Sequence, residues 1–346
     1  MKKVSVIGHF AKGLDLANGQ TIKTKTVTTA LKKEIGDEEV ITFDTHGSLA
    51  LLKAPFQCLN ALKKSENVII FPAYKGLRVY APLLCAFRRL YKSRQLHYVV
   101  VGGWLPEFVK GKPFLKKALL HFDGIYVQAE AMKNVLEKQN FNNVYVMHNF
   151  KNMKVLNENE LVYPTNPPLR LCTFSRVSRQ KGIGDAIEAV QTINKKLGYI
   201  AYSLDIYGAI DEPEKDWFEN LKKQFPPYIS YKGVASGFNS VDVLKNYFAL
   251  LFPTYYKGEG FAGTLIDAYS SGLPVIATDW RYNKEFVNER VGIVYPSRDN
   301  VALEEILLKV EKKPEILSSL KKNCLSEAKR YTAKEAMKPL LEKIRN

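Results

Sequence analysis

The stretch KGEGFAGTLIDAYSSGLPVIATD, residues 257–279, says most about the fold of this 346-residue chain. It begins with a glycine-flanked acid, continues as an apolar helical pattern over residues 262–271, and ends in a buried strand pattern over residues 274–277. A glycine-rich loop between a strand and a helix is typical of doubly wound α/β domains, because glycine lets the backbone approach a bound anion closely. The stretch therefore predicts a parallel sheet with a ligand site at its edge.

The same alternation of strand and helix extends through most of the chain. Short apolar runs are separated by helical patterns, which favours parallel sheets covered by helices on both faces. After the last predicted strand only helical patterns are expected up to the C-terminus. The predicted strands are residues 3–8, 39–43, 67–72, 97–101, 124–127, 143–147, 169–174, 203–207, 229–231, 250–253 and 274–277.

Chain length and one polar segment predict two domains. A chain of 346 residues exceeds the usual size of a single core. The proline-rich stretch YPTNPP, within residues 158–168, is the best linker candidate. We therefore expect an N-terminal Rossmann-like domain over residues 1–155 and a C-terminal one over residues 156–328. A final helix over residues 329–346 is expected to cross back to the first domain.

Composition indicates a globular protein of a reducing compartment. Hydrophobic residues make up 46% of the chain, yet no apolar run reaches the length of about 18 residues that a membrane span needs. The sequence thus predicts neither a membrane span nor a secretory signal. It therefore predicts a cytoplasmic location. The cysteines are widely spaced and form no CxxC pair, which indicates buried thiols rather than disulfides or metal ligands: Cys58, Cys85, Cys172 and Cys324.

The net charge of +16 is concentrated in one segment. Residues 51–120 hold 13 Lys and Arg against the two acids Glu66 and Glu107, which gives +11. A focused basic surface attracts phosphates, whether of nucleic acid, of an anionic membrane or of a phospholipid-linked substrate. Solvated helix faces are the alternative interpretation.

Glu259 and Asp267 are the first pair of candidate site residues. They lie eight residues apart, and the helical rise predicts a separation of about 10 to 12 Å. An acid/base pair of a glycosidase needs roughly 5 to 9.5 Å. The spacing instead suits a grip on the two ends of an extended ligand, with sugar hydroxyls at Glu259 and ribose hydroxyls at Asp267. A diphosphate would then lie on the helix start between them.

The stretch SRVSRQKG, residues 175–182, supplies a second cluster directly after a predicted strand. Arg176 and Lys181 flank a loop in which two cations can neutralise a diphosphate and stabilise it as it leaves. Arg179 is a third candidate for the same work. We expect this loop and Glu259 to lie at the same edge of the sheet.

Together these motifs resemble the retaining GT-B glycosyltransferases of family 4, which use nucleotide sugars. Residues 259–267 are similar to that family's E-x7-E motif, and SRVSRQKG is similar to its Arg/Lys diphosphate loop. IYG at residues 206–208 and HNFK at residues 148–151 also match. The resemblance spans nearly the whole chain and is most specific over residues 170–280. It implies a GT-B fold, in which two Rossmann-like domains face each other across a cleft.

The resemblance also implies roles for individual residues of the second domain. Glu259 would contact the hydroxyls of the donor sugar, Asp267 the ribose, and Arg176 with Lys181 the diphosphate. Asp267 departs from the family pattern, because its side chain is one methylene shorter than the usual Glu. Backbone contacts to the donor are expected from small residues and one aromatic: Gly260, Phe261, Ala262, Gly263 and Gly208.

Fewer signals mark the acceptor side in the first domain. The loop over residues 8–19, with Gly19 opening the following helix, resembles the family's glycine-containing N-terminal loop beside the donor phosphate. Where many relatives have a His after a middle strand, this chain has Gly102, Gly103 and Trp104. These residues would shape the acceptor site by backbone approach and stacking, although Trp104 fits a core position equally well. His9, near the end of a strand, is more often structural in such a position.

The sequence hypothesis is therefore a retaining hexosyltransferase that builds a bacterial capsule, O-antigen or exopolysaccharide. Its donor would be a UDP- or GDP-sugar that acts as substrate, with no cofactor and no metal, because no Asp-x-Asp pair or His/Cys cluster is present. The acceptor would be a glycan or a polyprenyl-diphosphate-linked glycan. The basic segment predicts peripheral association with the inner face of the plasma membrane through residues 78–117.

Two other classes of function were weighed. A nucleic-acid-binding protein is disfavoured, because the chain has no helix-turn-helix, zinc or RNP signature. A non-catalytic GT-B-like protein that binds sugar nucleotides, or a sugar-nucleotide epimerase, stays open as the alternative.

Overall fold

The computed structural model describes residues 1–14, 19–47, 50–164, 166–235 and 240–345. The chain divides into two compact units. Unit 1 comprises Met1–Lys151 with Ala333–Asn346, and unit 2 comprises Asn152–Thr332. Each unit contains one six-stranded sheet in which neighbouring strands are parallel. Both units are therefore α/β domains of the predicted doubly wound kind.

The sheet of unit 1 has the strand order β2-β1-β3-β4-β5-β6. Its strands are β1 (Lys2–Gly8), β2 (Val40–Asp44), β3 (Ser65–Ile70), β4 (Gln95–Val99), β5 (Gly124–Val127) and β6 (Val144–Val146). The helices that follow them are α1 (Gly19–Ile35), α2 (Ala54–Lys64), α3 (Tyr74–Arg88), α4 (Leu105–Val109), α5 (Pro113–Leu120) and α6 (Glu130–Glu137).

The sheet of unit 2 has the strand order β12-β11-β10-β7-β8-β9. Its strands are β7 (Leu169–Phe174), β8 (Tyr202–Tyr207), β9 (Ile229–Gly233), β10 (Ala249–Phe252), β11 (Val275–Thr278) and β12 (Gly292–Tyr295). Its helices are α7 (Ile183–Leu197), α8 (Lys215–Lys222), α9 (Ser240–Leu244), α10 (Gly263–Ser270), α11 (Asn283–Phe286), α12 (Asn300–Lys312), α13 (Glu315–Ser318) and α14 (Lys321–Ala328). The last helix of the chain, α15 (Ala333–Arg345), packs in the core of unit 1.

Local packing explains where the chain passes between the units. Leu156 is buried against Val241 and Leu325, and its amide donates to the carbonyl of Ser270 in α10. The segment before the proline-rich stretch therefore packs with unit 2 from residue 152, against a predicted start at 156. At the other end unit 2 runs to Thr332 rather than 328, and Met337 and Leu340 of α15 are buried in the unit 1 core.

One sequence expectation was wrong. The region after residue 278 is not helical throughout, because β12 adds a sixth strand beside β11. This strand is four residues long, and only its first and last residues are buried. Gly292 is needed there because a Cβ would lie 2.0 Å from the carbonyl oxygen of Val275. Among the described residues, no helix is long and apolar enough to cross a bilayer.

Candidate functional site: the β7 and β10 loops

Strands β7 and β10 are neighbours in the sheet of unit 2, so the loops that follow them meet at its carboxyl edge. The β7 loop carries Arg176 and Lys181, and the β10 loop carries Thr254 and Glu259. The sequence placed both motifs after strands but could not show that these strands are adjacent. This edge is the candidate site.

A buried ion pair joins the two loops. The Nζ of Lys181 lies 2.6 Å from Oε2 of Glu259, and the two side chains are only 9% and 7% exposed. The hydroxyl of Thr254 donates to the same Oε2 at 2.8 Å. Pairing and hydrogen bonding offset the cost of removing two charges from water. The sequence analysis assigned Lys181 to the diphosphate and Glu259 to the donor sugar, and it did not predict the direct contact between the two side chains.

Backbone geometry explains why Lys181 reaches the β10 loop. It ends a single turn of 3-10 helix, Arg179–Lys181, and Gly182 follows with a left-handed φ of 69°. A Cβ at Gly182 would lie 2.2 Å from the carbonyl oxygen of Pro253. Glycine therefore permits both the turn and the close approach of the two loops. The ring of Tyr256 lies 5.0 Å from Nζ of Lys181 and adds a cation–π contact.

Arg176 is held beside this pair by an acid of its own. Its Nη1 donates to both carboxylate oxygens of Asp211, at 2.8 and 2.9 Å. The guanidinium also lies over the ring of Tyr256, 5.5 Å from its centroid. Two partners thus orient a side chain that stays 45% exposed and accessible to a ligand.

Arg179 is engaged on the outer side of the same loop. It forms an ion pair with Glu214 and lies 4.7 Å from the ring centroid of Trp217. A cavity of about 300 Å³ lies beside these loops. Its walls contain both charges and an aromatic ring: Arg176, Ser178, Gln180, Asp211, Pro213, Glu214 and Tyr256.

The segment after Glu259 leads into α10. The ring of Phe261 stacks on Phe286 at 3.9 Å and is buried, so it anchors the loop from inside. Ala262 is the N-cap of α10, and Gly263 is its first residue. The first amides of a helix have no intrahelical acceptor and carry a partial positive charge. The amides at the start of α10 can therefore bind an anion, and they lie only a few residues after Glu259 in the sequence.

Asp267 lies in the second turn of α10 and is 1% exposed. The hydroxyl of Ser240 donates to its Oδ1 at 3.0 Å. Its neighbours Ile266 and Ala268 belong to the apolar core. Hydrogen bonding of the carboxylate thus replaces water at a buried position.

Gly208 is required by backbone packing. Its φ is 139°, and a Cβ there would lie 1.8 Å from the carbonyl oxygen of Ser175. Its amide donates to the carbonyl of Gly233 at 2.8 Å. The close contact of Gly208 with Ser175 fixes the start of the loop that carries Arg176.

Of the predicted acceptor residues in unit 1, Gly102, Gly103 and Trp104, only Trp104 belongs to an aromatic cluster, with Tyr74 and Phe108. Gly102 has a left-handed φ of 80°. Trp104 is only 6% exposed, and its Nε1 donates to the carbonyl of Val101 at 2.6 Å. The indole stacks on Tyr74 with ring centroids 4.2 Å apart. Gly19 begins α1 in open space, whereas residues 15–18 of the same loop lie outside the described residues.

Sequence reasoning missed a second polar cluster, at the carboxyl ends of β1 and β2. The carboxylate of Asp44 accepts hydrogen bonds from the amides of Phe10, Lys12 and His46, among others. Burial alone would raise the pKa of Asp44, but these donors lower it below its usual value. The Nδ1 of His46 lies 3.0 Å from Nε2 of His9. Burial, followed by the nearby His46, lowers the pKa of His9.

Thr254 is the most useful residue that the sequence motifs did not mark. It lies two residues after the end of β10 at Phe252, and the rule that ligands bind beyond strand ends would have been the signal for it. In the described ranges no group of three or more His, Cys, Asp or Glu is arranged to hold a metal ion.

Comparison with known proteins assigns a family to unit 2. Residues 160–327 match the family described as glycosyl transferases group 1. The UDP-N-acetylglucosamine--peptide N-acetylglucosaminyltransferase GtfA subunit of Streptococcus gordonii is 30% identical over 190 residues, 54% of this chain and 36% of that protein. The amylovoran biosynthesis glycosyltransferase AmsK of Erwinia amylovora is 28% identical over 157 residues, 41% of this chain and 36% of that protein. The matches thus span about a third of the length of these relatives.

Solved structures show the same fold over the whole chain. Anabaena HepE in complex with UDP superposes with a TM-score of 0.73 at 14% identity, and the match covers 100% of both chains. This similarity supports the fold alone, because the sequence identity is too low to support a shared activity or substrate. Residues 160–327 of this chain match the glycosyl transferases group 1 family, and the two parallel-sheet, Rossmann-like units have the GT-B fold.

Proposed function

We propose that the chain is a retaining glycosyltransferase that moves a hexose from a nucleoside diphosphate sugar to a glycan or lipid-linked glycan. The buried Lys181–Glu259 pair at the carboxyl edge of the unit 2 sheet is the observation that carries the proposal. Membership of unit 2 in a glycosyltransferase family supports it. A charged pair in this position has a clear use, because it puts a cation for a diphosphate next to a carboxylate for sugar hydroxyls.

Electrostatics around the pair suit the two parts of a donor. Lys181, Arg176 and the start of α10 supply positive charge for the diphosphate. Of the two carboxylate oxygens of Glu259, only Oε2 accepts hydrogen bonds from described side chains, namely those of Lys181 and Thr254. We assign Oε1 of Glu259 to the hydroxyls of the donor sugar. Backbone amides of residues 260–263 would contact the phosphate or the sugar, and Gly208 supports the loop of Arg176 from behind.

The reaction breaks the bond between the anomeric carbon and the oxygen of the β-phosphate. Negative charge grows on that oxygen as the bond breaks, and fixed cations stabilise such charge most when they need no reorganisation. Lys181 and Arg176 meet this condition, because each is held by its own acid. The acceptor hydroxyl attacks from the face that the diphosphate leaves, and its proton passes to the departing phosphate oxygen. The step needs no protein base and, in this proposal, no metal.

Asp267 is proposed to bind the ribose of the donor. Its carboxylate already accepts a hydrogen bond from Ser240, the first residue of α9. A ribose hydroxyl would donate a second hydrogen bond to the same carboxylate. Gly19 is proposed to border the donor phosphate, and the Gly102–Trp104 turn is proposed to border the acceptor. Because the indole N–H of Trp104 is bound to Val101, this residue would act by shape rather than by donating to the acceptor.

The names of the similar proteins support a proposal for the substrates and the biological role. GtfA is named for UDP-N-acetylglucosamine, HepE was solved with UDP, and AmsK is named for amylovoran biosynthesis. We therefore propose a UDP-sugar or GDP-sugar donor and a polyprenyl-diphosphate-linked or free glycan acceptor. The role would be assembly of a bacterial capsule, O-antigen or exopolysaccharide on the cytoplasmic side of the membrane.

Release of nucleoside diphosphate tests the proposal. The chain is incubated with UDP-, GDP- and ADP-sugars and with glycan acceptors, and release is followed together with the anomeric configuration of the product by NMR. Glu259→Gln should lower release by about 10²- to 10³-fold. Glu305→Gln, an exposed acid on α12, is the matched control and should keep wild-type turnover.

The outcomes separate the competing functions. A non-catalytic binding protein would bind a donor without release, and an epimerase would change the sugar without release. Unchanged turnover in Glu259→Gln would remove the assignment of that residue. An inverted product would refute the retaining mechanism.

A further inference from the structure

Helices α2, α3 and α5 of unit 1 form a continuous surface in which α3 contacts both of the others. The basic segment of residues 51–120 supplies this surface, and we call it the α2–α3–α5 face. Arg89 and Lys92 follow α3, and Lys117 lies on α5. These three side chains form no ion pair or hydrogen bond with any residue that the structure describes. No acid among the described residues therefore neutralises the positive charge of these three side chains.

Large apolar side chains project from the same face. Phe114, near the start of α5, is 88% exposed, and Leu90, just after α3, is 73% exposed. On α2, Phe56 is 73% exposed and Leu59 lies three residues further along the same exposed side. Single exposed apolar residues are ordinary. A group of exposed apolar side chains beside unpaired cations needs an explanation, because each apolar side chain remains in contact with water.

A cavity of about 550 Å³ lies between α3 and α5. Cations, an aromatic ring and small residues line it together: Pro82, Cys85, Ala86, Arg88, Arg89, Lys92, Phe114, Lys117, Ala118 and His121. Arg88 is bound to Asp123 and to the carbonyl of His121, so it forms a fixed wall. Arg89, Lys92 and Lys117 are left to bind an anion that enters from outside.

We propose that the α2–α3–α5 face binds the surface of an anionic phospholipid bilayer. Lys117, Arg89 and Lys92 would contact lipid phosphates, one of which enters the cavity between α3 and α5. Phe114, Leu90 and Phe56 would enter the boundary between headgroups and acyl chains. Anionic lipids attract the basic residues, and the exposed apolar side chains are removed from water when they enter the bilayer. This inference concerns unit 1 alone and does not rest on the proposed sugar transfer.

The combination of groups favours a bilayer over other polyanions. A nucleic acid would use the cations and the aromatic rings, on which bases stack, but it would leave Leu90 and Leu59 in water. A soluble phosphate would use the cavity, which Phe114 lines, but it would leave Leu90 and Phe56 in water. Only a bilayer surface uses the cations and the apolar side chains together.

Co-sedimentation with vesicles tests the proposal on the full chain. Vesicles of phosphatidylcholine with phosphatidylglycerol are compared with pure phosphatidylcholine at low salt. Wild type should bind the anionic vesicles and lose them as salt rises. Arg89→Gln with Lys117→Gln should weaken binding roughly 30-fold, the effect expected for two basic residues near an anionic surface. Phe114→Ser should weaken it several-fold at high salt as well, because its share is not electrostatic.

Matched variants and competing ligands complete the experiment. Lys195→Gln with Lys196→Gln removes the same charge from an exposed site in unit 2, and Val301→Ser removes an exposed apolar side chain there. Both should bind vesicles as wild type does. Equal binding to the two kinds of vesicle, or equal loss in the unit 2 controls, would overturn the proposal. Release of the bound chain from vesicles by RNA or by glycerol phosphate at similar concentrations of phosphate would overturn it in favour of those ligands.

Discussion

Cations of the β7 loop and cations of the α2–α3–α5 face differ in their partners. Arg176, Arg179 and Lys181 each form an ion pair with an acid of unit 2. Arg89 and Lys117 have no such partner among the described residues. The first group is fixed in direction before any ligand arrives. The second is free to move and acts mainly through its field.

This difference predicts two kinds of recognition. Side chains held by acids and rings lose little conformational entropy on binding, so they can discriminate one ligand geometry from another. Mobile exposed cations bind any dense array of negative charge and respond strongly to salt. Unit 2 is thus suited to one defined diphosphate, and the helical face of unit 1 to an extended anionic surface. The following changes are arranged from the largest expected effect to the smallest.

The Lys181–Glu259 pair should be the most sensitive point of the paired group. Lys181→Met leaves Glu259 charged and buried, and loss of one partner of a buried pair costs about 3 to 5 kcal/mol of unfolding free energy. Lys181→Met with Glu259→Met should regain most of that loss. Urea unfolding of the three proteins measures it. A double variant no more stable than the single one would show that the pair does not act as a unit.

Two glycines that the sequence assigned to the donor site should respond in opposite ways. Gly208→Ala puts a Cβ 1.8 Å from the carbonyl oxygen of Ser175 and should cost about 3 kcal/mol or more. Gly19→Ala meets no atom within 4 Å at the start of α1 and should stabilise by up to about 1 kcal/mol. Thermal unfolding compares them. Similar losses for both would contradict the packing argument for Gly208.

Lys23 provides a pH-dependent test inside unit 1. Burial lowers the pKa of Lys23 to about 7, against 10.5 in its usual range. Between these values the unfolded chain binds a proton that the folded chain does not, so this group makes stability rise with pH. Lys23→Met removes the group. The stability of wild type relative to the variant should therefore increase by about 2 kcal/mol between pH 7 and 9. A constant difference across that range would contradict the shift.

The unpaired cations should matter least to stability. Arg89→Gln with Lys117→Gln removes two exposed charges that bind no acid, and the unfolding free energy should change by less than about 0.5 kcal/mol. The same urea titration measures this change. A loss comparable to that of Lys181→Met would show that these cations have partners in the folded state and would remove the basis of the comparison.

The sequence predicted the elements better than their neighbours. Eleven of the twelve strands coincide with apolar runs that it marked, and only β12 was missed. Which strands lie side by side is decided by packing of the whole sheet. For this reason the motifs containing Lys181 and Glu259 were recognised, but their direct contact was not. Thr254, which belongs to no motif, became visible only through that contact.

The sequence predicted how many basic residues lie in one segment, but not which of them form ion pairs. Counting residues located the basic segment, whereas only the fold separates Arg88, which binds Asp123, from Arg89, which pairs with no acid among the described residues. The buried state of Asp267 and its bond to Ser240 also depend on how α10 packs. Long-range partners of this kind leave no local trace in the sequence.

The most direct test of the central claim is the dissociation constant of a nucleoside diphosphate, measured by calorimetry. The ligand is whichever of UDP, GDP and ADP binds wild type. Lys181→Met should weaken binding roughly 10- to 100-fold, because it removes a charge-assisted hydrogen bond to phosphate. Arg89→Gln with Lys117→Gln should leave the constant unchanged within about twofold, because its cations belong to the other surface. Equal weakening by both variants, or none by Lys181→Met, would contradict the assignment of the diphosphate to the β7 and β10 loops.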